Sequence, residues 1–91
     1  MGDQPKVLII DDDKLVGSSI ANVARTLGCH ASIALSLKES LKLLDAVSYD
    51  VVFLDVHMPD GNGIAQLPRI MRSLGEPEVI VITAYGDPDS V

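Results

Sequence analysis

Ninety-one residues make one domain, and 47% hydrophobic against 22% charged residues is the balance of a folding globular chain, which excludes a disordered or fibrous one. Thirteen acidic residues against seven Lys and Arg give a net charge of -6, which disfavours direct contact with the polyanionic backbone of a nucleic acid. A single cysteine, Cys29, excludes an intrachain disulfide, and no apolar stretch approaches the length of a bilayer span, so no membrane contact is expected and a reduced, cytoplasmic setting is.

Val7-Leu8-Ile9-Ile10 is a short continuous apolar run, the pattern of a strand buried on both faces, and it predicts a strand over 6–11 that ends in three aspartates. From Lys14 the period changes: Val16, Ile20, Val23, Ala24 and Leu27 share one helical face, predicting a helix over 14–27 with Asp12 or Asp13 as its cap and Gly28 as its stop. Ala31, Ile33 and Leu35 alternate with their neighbours and suggest a second strand over 29–34. Ser36 and Glu39 then form a capping-box pattern ahead of Leu37, Leu41 and Leu44, a helix over 37–47.

Val51-Val52-Phe53-Leu54 is the clearest strand signal, 50–55, and it closes on Asp55. Met58-Pro59-Asp60-Gly61-Asn62-Gly63 is a concentrated turn signal. Ile64, Leu67, Ile70, Met71 and Leu74 predict a helix over 63–74, in which Pro68 removes one amide donor and should kink or delay the regular turn. Val79-Ile80-Val81-Ile82 predicts a fourth strand, 78–83, closing at Thr83.

The order βαβαβαβ, with crossovers long enough for parallel strands, predicts an open parallel sheet in a three-layer α/β/α arrangement over residues 1–91. In such sheets ligands gather at the carboxyl ends of the strands, where Asp11, Asp55 and Thr83 all fall. If the first and third strands are neighbours, Asp11, Asp12 and Asp55 meet. Crowded carboxylates repel one another, and a bound Mg²⁺ offsets that repulsion while keeping positions for phosphate oxygens. Asp55, fixed at a strand end, suits a nucleophile, and the Thr83 hydroxyl suits a donor to a phosphoryl oxygen.

Each of these aspartates alone fits a turn or a helix cap equally well, and it is their convergence that points to phosphoryl chemistry. Asp13 reads mainly as a cap, and Asp45, Asp50, Asp60, Asp87 and Asp89 read as solvent or turn residues. His57 reads as a residue lining the loop, its backbone carbonyl the useful atom. Met58 and Pro59 read as shaping and packing that loop.

The segments Val7 to Asp13, Asp55 to Gly63 and Val81 to Ala84 together closely resemble the receiver domain of two-component response regulators, a flavodoxin-like fold. The resemblance implies Asp55 as the phosphoacceptor, Asp11 and Asp12 as the acidic pair, and Asp12, Asp55 and the His57 backbone carbonyl as ligands to Mg²⁺. Thr83 becomes the switch hydroxyl. It implies phosphoryl transfer from a sensor histidine kinase, or from a small acyl phosphate, and a reset by hydrolysis rather than conventional turnover.

The Pro59–Gly63 loop, Leu67-Pro68-Arg69-Ile70 and Tyr85-Gly86-Asp87-Pro88 are most similar to receivers of sigma-54-dependent transcription activators, in which phosphorylation changes receiver assembly and controls output domains. The resemblance covers the first four strands of a receiver. A fourth helix, a fifth strand with a phosphate-contacting lysine, and a fifth helix are expected beyond Val91, and their loss would expose sheet edge and favour a homodimer.

Two other functions fit parts of the chain. Asp11-Asp12-Asp13 after an apolar strand resembles the Asp-x-Asp of haloacid-dehalogenase-like phosphatases, with Asp11 as nucleophile and Asp13 as acid-base. A receiver-like dimerisation module that is never phosphorylated is the second.

Overall fold

The computed structural model describes residues 4–82 and builds them on a four-stranded parallel sheet. Strands β1 (Lys6–Ile10), β2 (His30–Ala34) and β3 (Val51–Asp55) alternate with helices α1 (Lys14–Thr26) and α2 (Leu37–Ala46). After β3 come a small antiparallel ribbon of β4 (His57–Met58) and β5 (Gly61–Asn62), a 3-10 turn at Gly63–Gln66, helix α3 (Leu67–Met71) and the last described strand, β6 (Glu78–Ile82). The order across the sheet is β2-β1-β3-β6, so the chain reverses direction of travel at β1 and β3. That is a switch point of the kind at which open α/β sheets bind ligands.

The three layers follow from the two-residue period of β1. Val7 and Ile9 pack on one face with Ala21 and Ala24 of α1 and Ala31 of β2. Leu8 and Ile10 point to the other face, among Leu37, Leu44, Val52, Leu54 and Ile70. A strand paired on both edges and covered on both faces has no position for a polar side chain, and all four residues from Val7 to Ile10 are buried. The flavodoxin-like α/β/α architecture expected from the sequence is therefore the one the chain adopts.

Of the two cap candidates for α1, it is Asp13 that serves, accepting the Leu15 amide at 2.9 Å and the Val16 amide at 3.4 Å. Ser36 caps α2 by accepting the Glu39 amide at 3.0 Å. Glu39 reaches back to the Leu35 amide at 2.7 Å, one residue earlier than in the reciprocal box.

The segment 63–74 differs from its periodic reading. In place of one helix the chain makes the 3-10 turn and then a helix of five residues that carries Pro68 in its first turn. Proline has no amide to donate and fits there, where the amides lack intrahelical partners in any case, so the regular helix begins at Leu67 instead of Gly63. Val23 and Leu27 also depart from expectation: they lie 62% and 75% exposed. They rim a 550 Å³ apolar groove floored by Val51, Phe53 and Ile80, because α1 covers only part of its face of the sheet.

Candidate functional site

Asp11 directly follows β1 and Asp55 ends β3, and these strands are neighbours in register, Ile10 opposite Leu54. The two carboxylates are thereby brought to the same end of the sheet, and Asp12 joins them from the turn that leads to α1. Each of the three offers an oxygen within 4.8 Å of the others. Asp11 and Asp55 are buried, 3% and 5% exposed, whereas Asp12 faces solvent.

Backbone amides hold both buried carboxylates. Asp11 Oδ1 accepts the Asp13 amide at 2.9 Å, and the Asp11 amide itself donates to the Ala34 carbonyl at 3.0 Å, tying the turn to the end of β2. Asp55 Oδ1 accepts the His57 amide at 3.2 Å. Burial pushes the Asp11 carboxyl above its ordinary value, the Asp13 amide opposes that shift, and the charges of Asp55 and Asp12 reinforce it.

Three carboxylate oxygens in one buried-to-exposed cluster are a hard donor set with too much negative charge to be content alone. That chemistry fits a divalent, oxygen-preferring cation such as Mg²⁺, which takes one or two carboxylates and leaves positions for water and phosphate oxygens.

The turn segment after Asp55 is more ordered than its composition suggests. Met58 is buried in the core on the α2 side, as a packing role predicts, and the ribbon pairs His57 with Asn62 and Met58 with Gly61. Asn62 accepts the Ile64 amide at 2.8 Å and starts the 3-10 turn. Asp60, read from the sequence as a solvent or turn residue, instead accepts two amides of α2, Leu37 at 2.8 Å and Lys38 at 2.9 Å. Those two bonds hold its carboxyl below the ordinary range. Asp50, given the same reading, accepts the Lys6 amide at 2.8 Å and joins the start of β3 to the start of β1. Neither partner lies nearby in sequence, so no local pattern marks them.

The structure thus brings Asp11, Asp12 and Asp55 together and sets His57 beside them in the ribbon, its side chain exposed. Thr83 and Tyr85 lie outside the described residues. So do Asp87 and Asp89.

Comparison with known proteins agrees with this site. The chain belongs to the response regulator receiver domain family, which matches residues 7–91. Among curated relatives, the transcriptional regulatory protein LytR of Staphylococcus aureus is 35% identical over 82 residues, 88% of this chain and 33% of its own length. The transcriptional regulatory protein CpxR of Escherichia coli is 36% identical over 81 residues, 89% of this chain and 34% of its own. The chain spans about a third of the length of these relatives. Among solved structures, the MaeR response regulator bound to beryllium trifluoride superposes with a TM-score of 0.79 at 30% identity, over 92% of this chain and 70% of that one. No helix among the described residues is long and apolar enough to cross a membrane.

Proposed function

We propose that this domain is a phosphoacceptor whose Asp55 receives a phosphoryl group from a sensor histidine kinase. The observation that carries the reading is the meeting of Asp11, Asp12 and Asp55 at the strand ends of a chain in the receiver family. An Asp55 oxygen attacks phosphorus, the bond from phosphorus to the donor imidazole nitrogen breaks as the new oxygen–phosphorus bond forms, and the leaving nitrogen takes up a proton. The His57 amide, bonded to Oδ1, fixes the plane of the carboxylate and so the direction of attack. Water attacking the acyl phosphate later returns the free carboxylate.

Asp12, Asp55 and the His57 backbone carbonyl, with Asp11 beside them, would hold Mg²⁺, which when bound offsets the carboxylate repulsion and the charge on the phosphoryl oxygens. Thr83 is the hydroxyl proposed to meet the phosphoryl group once it is attached. The added charge is then a local event read out by a second conformation. A role in transcription, carried by output domains and by receiver homodimers, is consistent with the curated relatives LytR and CpxR. A cytoplasmic setting follows from such a partner kinase. The narrower likeness to receivers of sigma-54-dependent activators rests on the Pro59–Gly63, Leu67–Ile70 and Tyr85–Pro88 segments of the sequence.

The phosphatase alternative requires Asp13 as acid-base. Its Oδ1 is engaged with the Leu15 and Val16 amides at the start of α1, which disfavours that role. A generic phosphate ester separates the two, since Asp11-dependent turnover with Asp55 dispensable is expected only of a phosphatase. The phosphoacceptor reading is tested with beryllium trifluoride, the ligand carried by MaeR. With Mg²⁺ present it should raise the melting temperature of the wild-type chain and leave Asp55→Asn unchanged. Equal response or no response in both would overturn the reading, and would favour the unphosphorylated dimerisation module.

A further inference from the structure

We propose that Asp60 is a positioning residue for the acceptor site, clamping the ribbon that carries His57 to the first turn of α2. This rests on the reading of Asp55 as acceptor and of Asp11, Asp12 and Asp55 as a metal site.

An α-helix begins with amides that have no partner within the helix. In α2 the Ser36 side chain takes the Glu39 amide, and the Ser40 amide makes the first helical bond, to the Ser36 carbonyl. The two amides left over, Leu37 and Lys38, are taken by the two carboxylate oxygens of Asp60, one each, across 23 and 22 residues of sequence. The helix thus depends on the ribbon for two of its three side-chain-capped amides, and the ribbon gains a rigid anchor. An anion at this end of a helix is also favoured by the helix dipole.

The anchor lies close to the chemistry. His57, three residues before Asp60, donates its amide to Asp55 Oδ1, and Met58 between them is fixed by burial in the core. Gly61 follows Asp60 with φ 150, a backbone state rarely open to other residues, and a side chain there would press on the Leu37 side chain at 3.2 Å. The ribbon is therefore fitted tightly against the start of α2. Releasing it at Asp60 frees His57 to move away from Asp55, which loosens both the orientation of the acceptor and any ligand atom His57 supplies. Groups that hold metal ligands from behind typically change metal affinity by tenfold or more when removed.

The experiment compares the 91-residue wild-type chain with Asp60→Ala, Asp60→Asn and Ser36→Ala. Ser36→Ala removes the other cap of the same helix without touching the ribbon. Mg²⁺ affinity is read by calorimetric titration, melting temperature is read in parallel, and acetyl phosphate labelling of the wild type is run alongside. Asp60→Ala should weaken Mg²⁺ roughly tenfold, Asp60→Asn, which keeps one acceptor oxygen, should weaken it less, and Ser36→Ala should lower the melting temperature with Mg²⁺ affinity unchanged. Unchanged affinity in Asp60→Ala, or an equal loss in Ser36→Ala, overturns the proposal. A wild-type chain that binds Mg²⁺ but is labelled at a residue other than Asp55 overturns the acceptor reading, while the affinities still decide the role of Asp60. A wild-type chain that binds no Mg²⁺ overturns both.

Discussion

Gly63 lies so close to the backbone carbonyl of Asp55 that a side chain there would run into the carbonyl oxygen and crowd the Leu54 side chain at 3.0 Å. The Gly63 amide also donates to the Val56 carbonyl at 2.9 Å, closing the ribbon back onto the end of β3. The glycine is therefore needed for space, and its partner on the other side of the contact is Asp55, the proposed acceptor. Gly63→Ala should cost about 2 kcal/mol, the scale of overpacking against backbone that cannot yield. Urea unfolding measures it, and a loss under about 0.5 kcal/mol would mean that the turn relaxes freely.

The raised Asp11 carboxyl predicts a pH dependence of definite sign. Its folded value lies above the ordinary 3.8, so between those two values the folded state holds more protons than the unfolded one. Stability contributed by this group falls as pH rises through that window, and at neutral pH the ionised carboxylate destabilises the metal-free fold. Asp11→Asn should raise the melting temperature at neutral pH without metal. A lowered melting temperature would show that Asp11 is worth more to the fold as a hydrogen-bond acceptor for the Asp13 amide than it costs as a charge.

Asp60 has the opposite sign. Its carboxyl lies below 3.8 because of the Leu37 and Lys38 amides, so its contribution is present above 3.8 and is lost as pH falls through the folded value. Asp60→Asn should lower stability at neutral pH and flatten the acid limb of the melting profile. An acid limb identical to that of the wild type would contradict the cap.

The same crowding predicts a response to metal. A cation that binds only the folded cluster stabilises it by about 1.4 kcal/mol at ten times its Kd. Mg²⁺ should raise the melting temperature, a chelator should reverse the change, and Asp12→Asn should reduce it. An equal rise in Asp12→Asn would place the cation elsewhere.

How much of this could be read from the chain varies with how local the cause is. β1 reads plainly because Val7–Ile10 are all buried in the middle of the sheet, where no polar residue fits, and β3 because Val51–Leu54 is an unbroken apolar run paired on both edges. The neighbouring ends of those strands then gave Asp11 and Asp55 as a pair. Residues 63–74 read as one helix delayed by Pro68 because the period of Ile64, Leu67 and Ile70 is shared by a 3-10 turn followed by one helical turn and a half, and periodicity alone does not separate them. Val23 and Leu27 share the apolar face of α1, but a sequence period identifies a face without saying what lies opposite it. Asp50 and Asp60 bond to amides more than twenty residues away, and nothing in Pro59-Asp60-Gly61 distinguishes a free turn from a clamp.

The most direct measurement is the intact mass, followed by site mapping, of the chain after acetyl phosphate treatment with and without Mg²⁺, beside Asp55→Asn. One Mg²⁺-dependent phosphoryl group mapped to Asp55, absent from the variant, is the predicted result. Labelling that persists in Asp55→Asn, or a phosphoryl group mapped to another residue of the wild type, would contradict Asp55 as the acceptor.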